Sequence, residues 1–223
     1  MKVIYIHHSG FAIVDESCSL LFDYVGGTLP HLPPDKPLYV FVSHAHEDHY
    51  NRKIFELRKQ YPEIHFIISD DVNVVPDNDV TLVCAHKQYT IGDCVIETLK
   101  STDEGVAFIV SYDQRCIYHA GDLNWWDWGE EDSEEESRYM ESAYRQELER
   151  IAQRRFTVAM VPYDPRLAKA APKGLITFMR YADADYIFPM HFWRDYSVFK
   201  DMKSLPFHGK IVEIRQENEC FQL

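Results

Sequence analysis

The chain contains no CxxC pair, no apolar run longer than a single strand, and fewer basic than acidic residues. Each shortage closes off a class of function. The five cysteines, Cys18, Cys84, Cys94, Cys116 and Cys220, are odd in number, and each lies in or beside a strand-like segment. They read as reduced core thiols rather than as a disulfide framework, and a cytoplasmic setting is the expectation. No basic-then-apolar leader is present and no stretch of about 20 apolar residues occurs, so neither export nor a membrane span is expected. Lysine and arginine total 23 against 36 aspartates and glutamates, a formal net charge of -13. Phosphate backbones reward clustered cations, so this balance disfavours nucleic acid as a partner and favours a small-molecule substrate. Self-association into a homo-oligomer stays open. Much of the negative charge is concentrated in GEEDSEEES, Gly129 to Ser137, which reads as a solvated loop or helix start.

What is present fits a globular enzyme. A chain of 223 residues, 46% hydrophobic, can bury one sizeable core, and a single domain over 1–223 is expected. The first third alternates β-type runs with turns: Val3 to Ile6, Phe11 to Val14, Leu20 to Phe22 and Tyr39 to Val42. The early strands read as antiparallel. Ile54, Leu57 and Tyr61 then recur at helical spacing until Pro62. Further strand-like runs follow at Phe66 to Ile68, Thr81 to Val83, Cys94 to Ile96, Val106 to Val110 and Cys116 to Tyr118. A longer helix is predicted with Met140, Tyr144, Leu148, Ile151 and Ala152 on one face. Val158 to Val161, a helix near Leu175 to Tyr181, Tyr186 to Phe188 and Ile211 to Ile214 complete the pattern. Many strands with helices in separate blocks imply a two-sheet α/β (α+β) core with helices outside, not a βαβ ladder.

The most informative stretch is Ser43-His44-Ala45-His46-Glu47-Asp48-His49, directly behind the apolar run Leu38 to Val42. Residues two apart on an extended segment share a face, so His44 and His46 point the same way. Asp48 and His49, at the turn into a helix, can be presented beside that pair but aimed at a slightly different point, which suits two adjacent metals. Zinc, iron and manganese accept imidazole and carboxylate ligands, and a pair of ions calls for a bridging oxygen donor from elsewhere. Asp122 and His191 each follow an apolar strand, where a sheet end would deliver them to a common edge.

These motifs resemble the metallo-β-lactamase superfamily, an αββα four-layer sandwich of metal-dependent hydrolases marked by HxHxDH. His44 to His49 matches that pattern at every fixed position. Tyr118-His119-Ala120-Gly121-Asp122 is similar to the segment that carries the bridging aspartate, and Phe188-Pro189-Met190-His191 to the one that carries the last histidine ligand. The opening IHHSGFAIVDESCSLLFDY is similar to the branch containing the ascorbate-6-phosphate lactonases and related uncharacterised hydrolases. The resemblance implies a site of His44, His46, Asp48, His49, Asp122 and His191 holding one or two divalent ions, zinc first, with manganese or iron as alternatives. It implies hydrolysis of a small-molecule ester, lactone or phosphodiester by a metal-activated water, which Asp48 would ligate and orient. A superfamily nuclease and a metal-binding domain with reduced or lost catalysis are the competing readings.

One departure stands out. The family supplies a further histidine before the bridging aspartate, whereas Leu99 to Val110 reads LKSTDEGVAFIV. Asp103 and His8 are the candidates to complete the position of His44 and His46; Asp103 alternatively forms a turn before Gly105. His119 is a candidate supporting residue or a packed strand residue. Arg166, Lys169 and Lys173 offer cations on a loop, with Arg166 the candidate to hold a substrate phosphate or carboxylate. The aromatics Trp125, Trp126, Trp128, Phe192 and Trp193, beside the ligand segments, are candidates for a pocket wall or for ordinary packing.

Overall fold

The computed structural model describes residues 1–223 as two compact units, each built around its own β-sheet. This is the mixed α/β content expected from the sequence. The first unit comprises Met1–Cys84 and Arg215–Leu223. Its strands are β1 (Lys2–His7), β2 (Gly10–Val14), β3 (Ser19–Phe22), β4 (Leu38–Val42), β5 (Ile64–Ser69) and β6 (Val80–Val83), with a C-terminal strand, Glu219–Gln222, beside β1. β1, β2 and β3 pair antiparallel, then β3, β4, β5 and β6 run parallel. All five residues of β4 are buried, as expected of a parallel strand covered on both faces. The helical spacing after the histidines becomes a 3-10 helix, Arg52–Lys59, capped by the Asn51 side chain. It buries Ile54 and Leu57, which join Tyr61, Val40 and Phe66 in one apolar cluster.

The second unit is Ala85–Ile214. β7 (Gln88–Ile91), β8 (Cys94–Lys100), β9 (Val106–Tyr112) and β10 (Arg115–His119) form an antiparallel meander; β11 (Arg155–Pro162) and β12 (Asp183–Met190) extend it in parallel from β10. Helix α1 (Glu134–Glu149) starts at a capping box between Ser133 and Glu136, and Glu134, Glu135 and Glu136 occupy the first turn, where the helix dipole favours anions. The acidic run is thus a helix start, as read. The helix stops at Glu149, so Ile151 is buried beyond its end and Ala152, predicted on the same face, is exposed. Helices α2 (Pro172–Tyr181) and α3 (Val198–Met202) follow. The expected strand Ile211 to Ile214 reduces to one bridge between Ile187 and Ile211. Cys18 and Cys94 are buried and Cys84 and Cys116 partly so, but Cys220, expected as a core thiol, is exposed because it lies on the C-terminal edge strand. No helix is long and apolar enough to cross a membrane.

Candidate metal centre

Within each unit the site residues follow from one property of parallel strands: their C-terminal ends lie at the same edge of the sheet. In the first unit β3 and β4 are such a pair, with Phe22 opposite Phe41. Asp23 leaves the end of β3 and Ser43 the end of β4, and the two meet. Ser43 donates through its backbone N–H to Asp23 Oδ1 (2.8 Å) and through its hydroxyl to Oδ2 (2.7 Å). The same Oδ2 accepts Nδ1 of His49 at 2.8 Å. All three residues are buried. Since Nδ1 carries the proton toward the carboxylate, Nε2 of His49 is left with the open lone pair. Ser43 Oγ also lies 2.9 Å from His44 Nδ1. With its proton donated to Asp23, that hydroxyl accepts from His44, so Nε2 of His44 is likewise the basic nitrogen. Nε2 of His44 and Nδ1 of His46 stand 3.0 Å apart.

His8, a candidate to complete the position of His44 and His46, lies beside Asp48. It sits at φ 53° in the turn between β1 and β2, and its Nε2 lies 3.2 Å from Asp48 Oδ2. His8, Asp48 and His49 offer ligand atoms within 4.8 Å of one another, a set that does not include His44 and His46. Gly10 permits the turn: a Cβ there would come 3.0 Å from the His7 carbonyl oxygen and 3.1 Å from that of Asp23. The hydrogen bond with His8 holds the Asp48 carboxyl well below the usual carboxylate range, against the opposing effect of burial and with help from His49.

The second unit repeats the device. β11 and β12 pair in parallel with Pro162 opposite Met190, so Asp164 and His191 emerge at one edge. His191 Nδ1 lies 2.8 Å from Asp164 Oδ2, and its Nε2 faces Asp122 Oδ1 at 3.6 Å. Asp122 itself follows β10, which runs parallel to β11. Its carbonyl accepts from Trp126 Nε1 (2.9 Å), and the Trp126 ring packs edge-on against His191 with centroids 5.3 Å apart. Burial pushes the Asp164 carboxyl up, but hydrogen bonds from His191 and Arg166 outweigh it and hold the group well below its ordinary range.

Asp23 and Asp164, the two orienting carboxylates, were missed in the sequence. Three of these residues, His8, Asp23 and His191, adopt φ of 53°, 42° and 65° without being glycine. Such strain is retained where surrounding contacts over-determine it, commonly at functional sites. In each unit an imidazole fixed at its far nitrogen by a carboxylate faces a further carboxylate, His49 with Asp48 in the first and His191 with Asp122 in the second. Zinc, iron and manganese take such donors, and the residues fit a divalent metal.

Other candidates are placed differently. Asp103 is exposed on the turn after β8, its N–H donating to Ser101 Oγ (3.1 Å), and shares no donor cluster with Asp122 or His191. His119, fully buried at the end of β10, accepts the Gly121 N–H at Nδ1 (3.2 Å), which suits packing and turn support. Arg166 spends its charge on Asp164, through Nε (2.9 Å) and Nη2 (2.5 Å), with its guanidinium carbon 4.6 Å from the centre of the Trp193 ring and 5.5 Å from that of Trp128.

A family model described as a β-lactamase superfamily domain matches residues 2–134. No curated protein matches the sequence. Among solved structures, Igni18, a metallo hydrolase of the archaeon Ignicoccus hospitalis, is 17% identical with a TM-score of 0.63, over 100% of this chain and 98% of that one. YhfI of Bacillus subtilis, a metallo-β-lactamase fold protein, is 14% identical with a TM-score of 0.63, over 99% and 98%. CmlA of Streptomyces venezuelae, a diiron β-hydroxylase, is 12% identical with a TM-score of 0.56, over 85% of this chain and 44% of that one. At these identities the likeness is one of fold.

Proposed function

The chain belongs to the metallo-β-lactamase superfamily, and we propose that it is a metal-dependent hydrolase whose metal ligands are His44, His46, Asp48, His49, Asp122 and His191. The observation that carries this reading is the repeated carboxylate–imidazole pair. Asp23 with His49 and Asp164 with His191 each fix a buried ring with Nε2 as its open donor, in sequence segments that share no motif. His44, His46, Asp48 and His49, with His8 beside Asp48, lie in the first unit, and Asp122 and His191 in the second. Zinc is the first choice of metal, one or two ions per chain, and the diiron relative keeps iron in view beside manganese.

Bound divalent metal supplies Lewis acidity and a water nucleophilic at neutral pH, the chemistry needed to cleave a small-molecule ester, lactone or phosphodiester. The chain's own residues contribute orientation. Asp23 and Asp164 lock ring tautomers, Ser43 ties His44 and His49 to one carboxylate, and Asp48, kept ionised, serves as an anionic ligand and an acceptor for a nearby water. Trp126, held by the Asp122 carbonyl, shields one side of His191 from solvent. Elemental analysis of purified protein, with His49→Ala and His191→Ala as one variant per unit, tests the reading. Each substitution is expected to lower bound metal and to remove metal-dependent turnover of a lactone and phosphodiester panel. Wild-type metal content in both variants would sink it.

A further inference from the structure

Beside His191 the second unit carries a cavity of about 470 Å³, within the range of small-ligand pockets. Its wall combines the aromatic rings Trp126, Trp128 and Tyr139 with the carboxylates Asp132, Glu135 and Glu136, and contains no basic side chain. We infer that this pocket receives the cationic end of the substrate, an ammonium group carrying apolar substituents. The inference rests on the hydrolase reading for the reaction itself, but the pocket's chemistry stands apart from the metal.

Two properties of the wall select that occupant. Aromatic faces attract a cation through their quadrupole, and substituted ammonium groups, weakly hydrated, gain most from leaving water for such a surface. Trp126 and Trp128 lie nearly parallel, 8° apart with centroids 6.2 Å from each other, and Trp128 and Tyr139 are 38% and 68% exposed, an unusual outlay of aromatic surface unless something covers it. The carboxylates are unequally engaged. Asp132 accepts the Trp128 N–H (2.8 Å) and Glu136 closes the capping box with Ser133, whereas Glu135 is in no ion pair. The nearest cation on α1, Arg138, is held by Glu134 at 2.7 Å, and Arg166, over Trp128 at 5.5 Å, is committed to Asp164 and lies outside the wall. Negative potential therefore remains uncompensated on the pocket side. An anionic or neutral ligand would gain nothing from it. The same Trp126 ring that lines the pocket packs on His191, so a cation seated there places the rest of its molecule one indole away from that ligand.

The test uses choline and its uncharged carbon isostere, 3,3-dimethylbutanol, titrated calorimetrically into the full-length protein in the presence of a chelator. Choline is expected to bind saturably and at least tenfold more tightly than the isostere. Trp128→Ala and Glu135→Gln should each weaken it roughly 3- to 30-fold, with unchanged circular dichroism. Equal binding of the two compounds, no saturation with choline, or unaltered affinity in both variants would overturn the inference. With metal restored, acetylcholine should exceed 3,3-dimethylbutyl acetate in kcat/KM by at least tenfold. Turnover without that preference refutes the cationic pocket and leaves the hydrolase intact. Selective choline binding in a protein that takes up no metal supports the pocket and refutes the hydrolase.

Discussion

Replacing Asp23 by Asn changes one oxygen to an amide nitrogen and almost no volume, yet is expected to weaken metal binding as much as the loss of a ligand's support allows. Asp23 is 1% exposed and its two oxygens accept three hydrogens: Ser43 N–H at Oδ1, and Ser43 Oγ–H and His49 Nδ1–H at Oδ2. An asparagine cannot serve all three. If its nitrogen takes the Oδ1 position it faces the Ser43 N–H, donor against donor, in the interior. If it takes the Oδ2 position it donates to His49 Nδ1, moving the ring proton to Nε2 and cancelling the lone pair the metal needs. Loss of such an orienting partner lowers metal affinity by roughly 10- to 100-fold, or about 1.4 to 2.8 kcal/mol. Asp23→Ala leaves the same hydrogens unpaired and should also destabilise the fold by about 2 to 5 kcal/mol. Competition with a fluorescent zinc chelator measures the affinity, and 15N shifts of the imidazole report the tautomer. Wild-type affinity in Asp23→Asn, with the His49 proton still on Nδ1, would refute the reasoning.

Asp122→Ala is expected to abolish metal retention on dialysis, whereas Asp103→Ala, on an exposed turn, should leave it close to wild type; equal losses would contradict the assignment. Gly174→Ala in α2 should cost on the order of 1 to 3 kcal/mol and lower Tm accordingly, because the added Cβ would overlap Oδ1 of Asn124, a fully buried side chain with little room to retreat. Arg154 holds the Glu97 carboxyl below its ordinary range through paired hydrogen bonds of 2.7 and 2.8 Å, with burial opposing. A depressed folded-state pKa stabilises above the unfolded value, about 4.3, and the contribution fades as pH falls through and below it. Acid titration of stability should therefore be shallower in Arg154→Met than in wild type.

The strands and the metal motif were legible because each rested on a local signal. Buried parallel strands such as β4 and β11 are continuous apolar runs, and HxHxDH, Asp122 and His191 each stand directly behind or close to one. β7 and the C-terminal strand were not foreseen. Both are four-residue edge strands whose residues alternate between exposed and partly buried, which leaves no apolar run to detect. The helix after His49 was recognised from Ile54 and Leu57, but three-residue and four-residue spacings do not separate 3-10 from α winding over so short a length. That His8 lies beside Asp48 could not be read from the sequence, because a single left-handed residue shapes the turn that carries it, and a non-glycine residue gives no warning of positive φ.

Asp23 and Asp164 were missed for a different reason, and the reason points to how they can be found. Each is a single aspartate at the end of a strand, 26 and 27 residues before its histidine, and local composition says nothing about a partner at that distance. The relation appears once strand direction is considered. An antiparallel neighbour sends its chain to the opposite edge, whereas a parallel neighbour brings two strand ends side by side, so an aspartate leaving one strand meets the segment that leaves the next: His191 directly behind β12, and Ser43 with the turn to His49 behind β4. β3 with β4 and β11 with β12 satisfy that rule, and in both the carboxylate takes the imidazole Nδ1 at 2.8 Å. The ligand motif thus carries only half of the arrangement. The other half is written at the ends of the preceding strands, where a carboxylate decides which nitrogen each ring can offer.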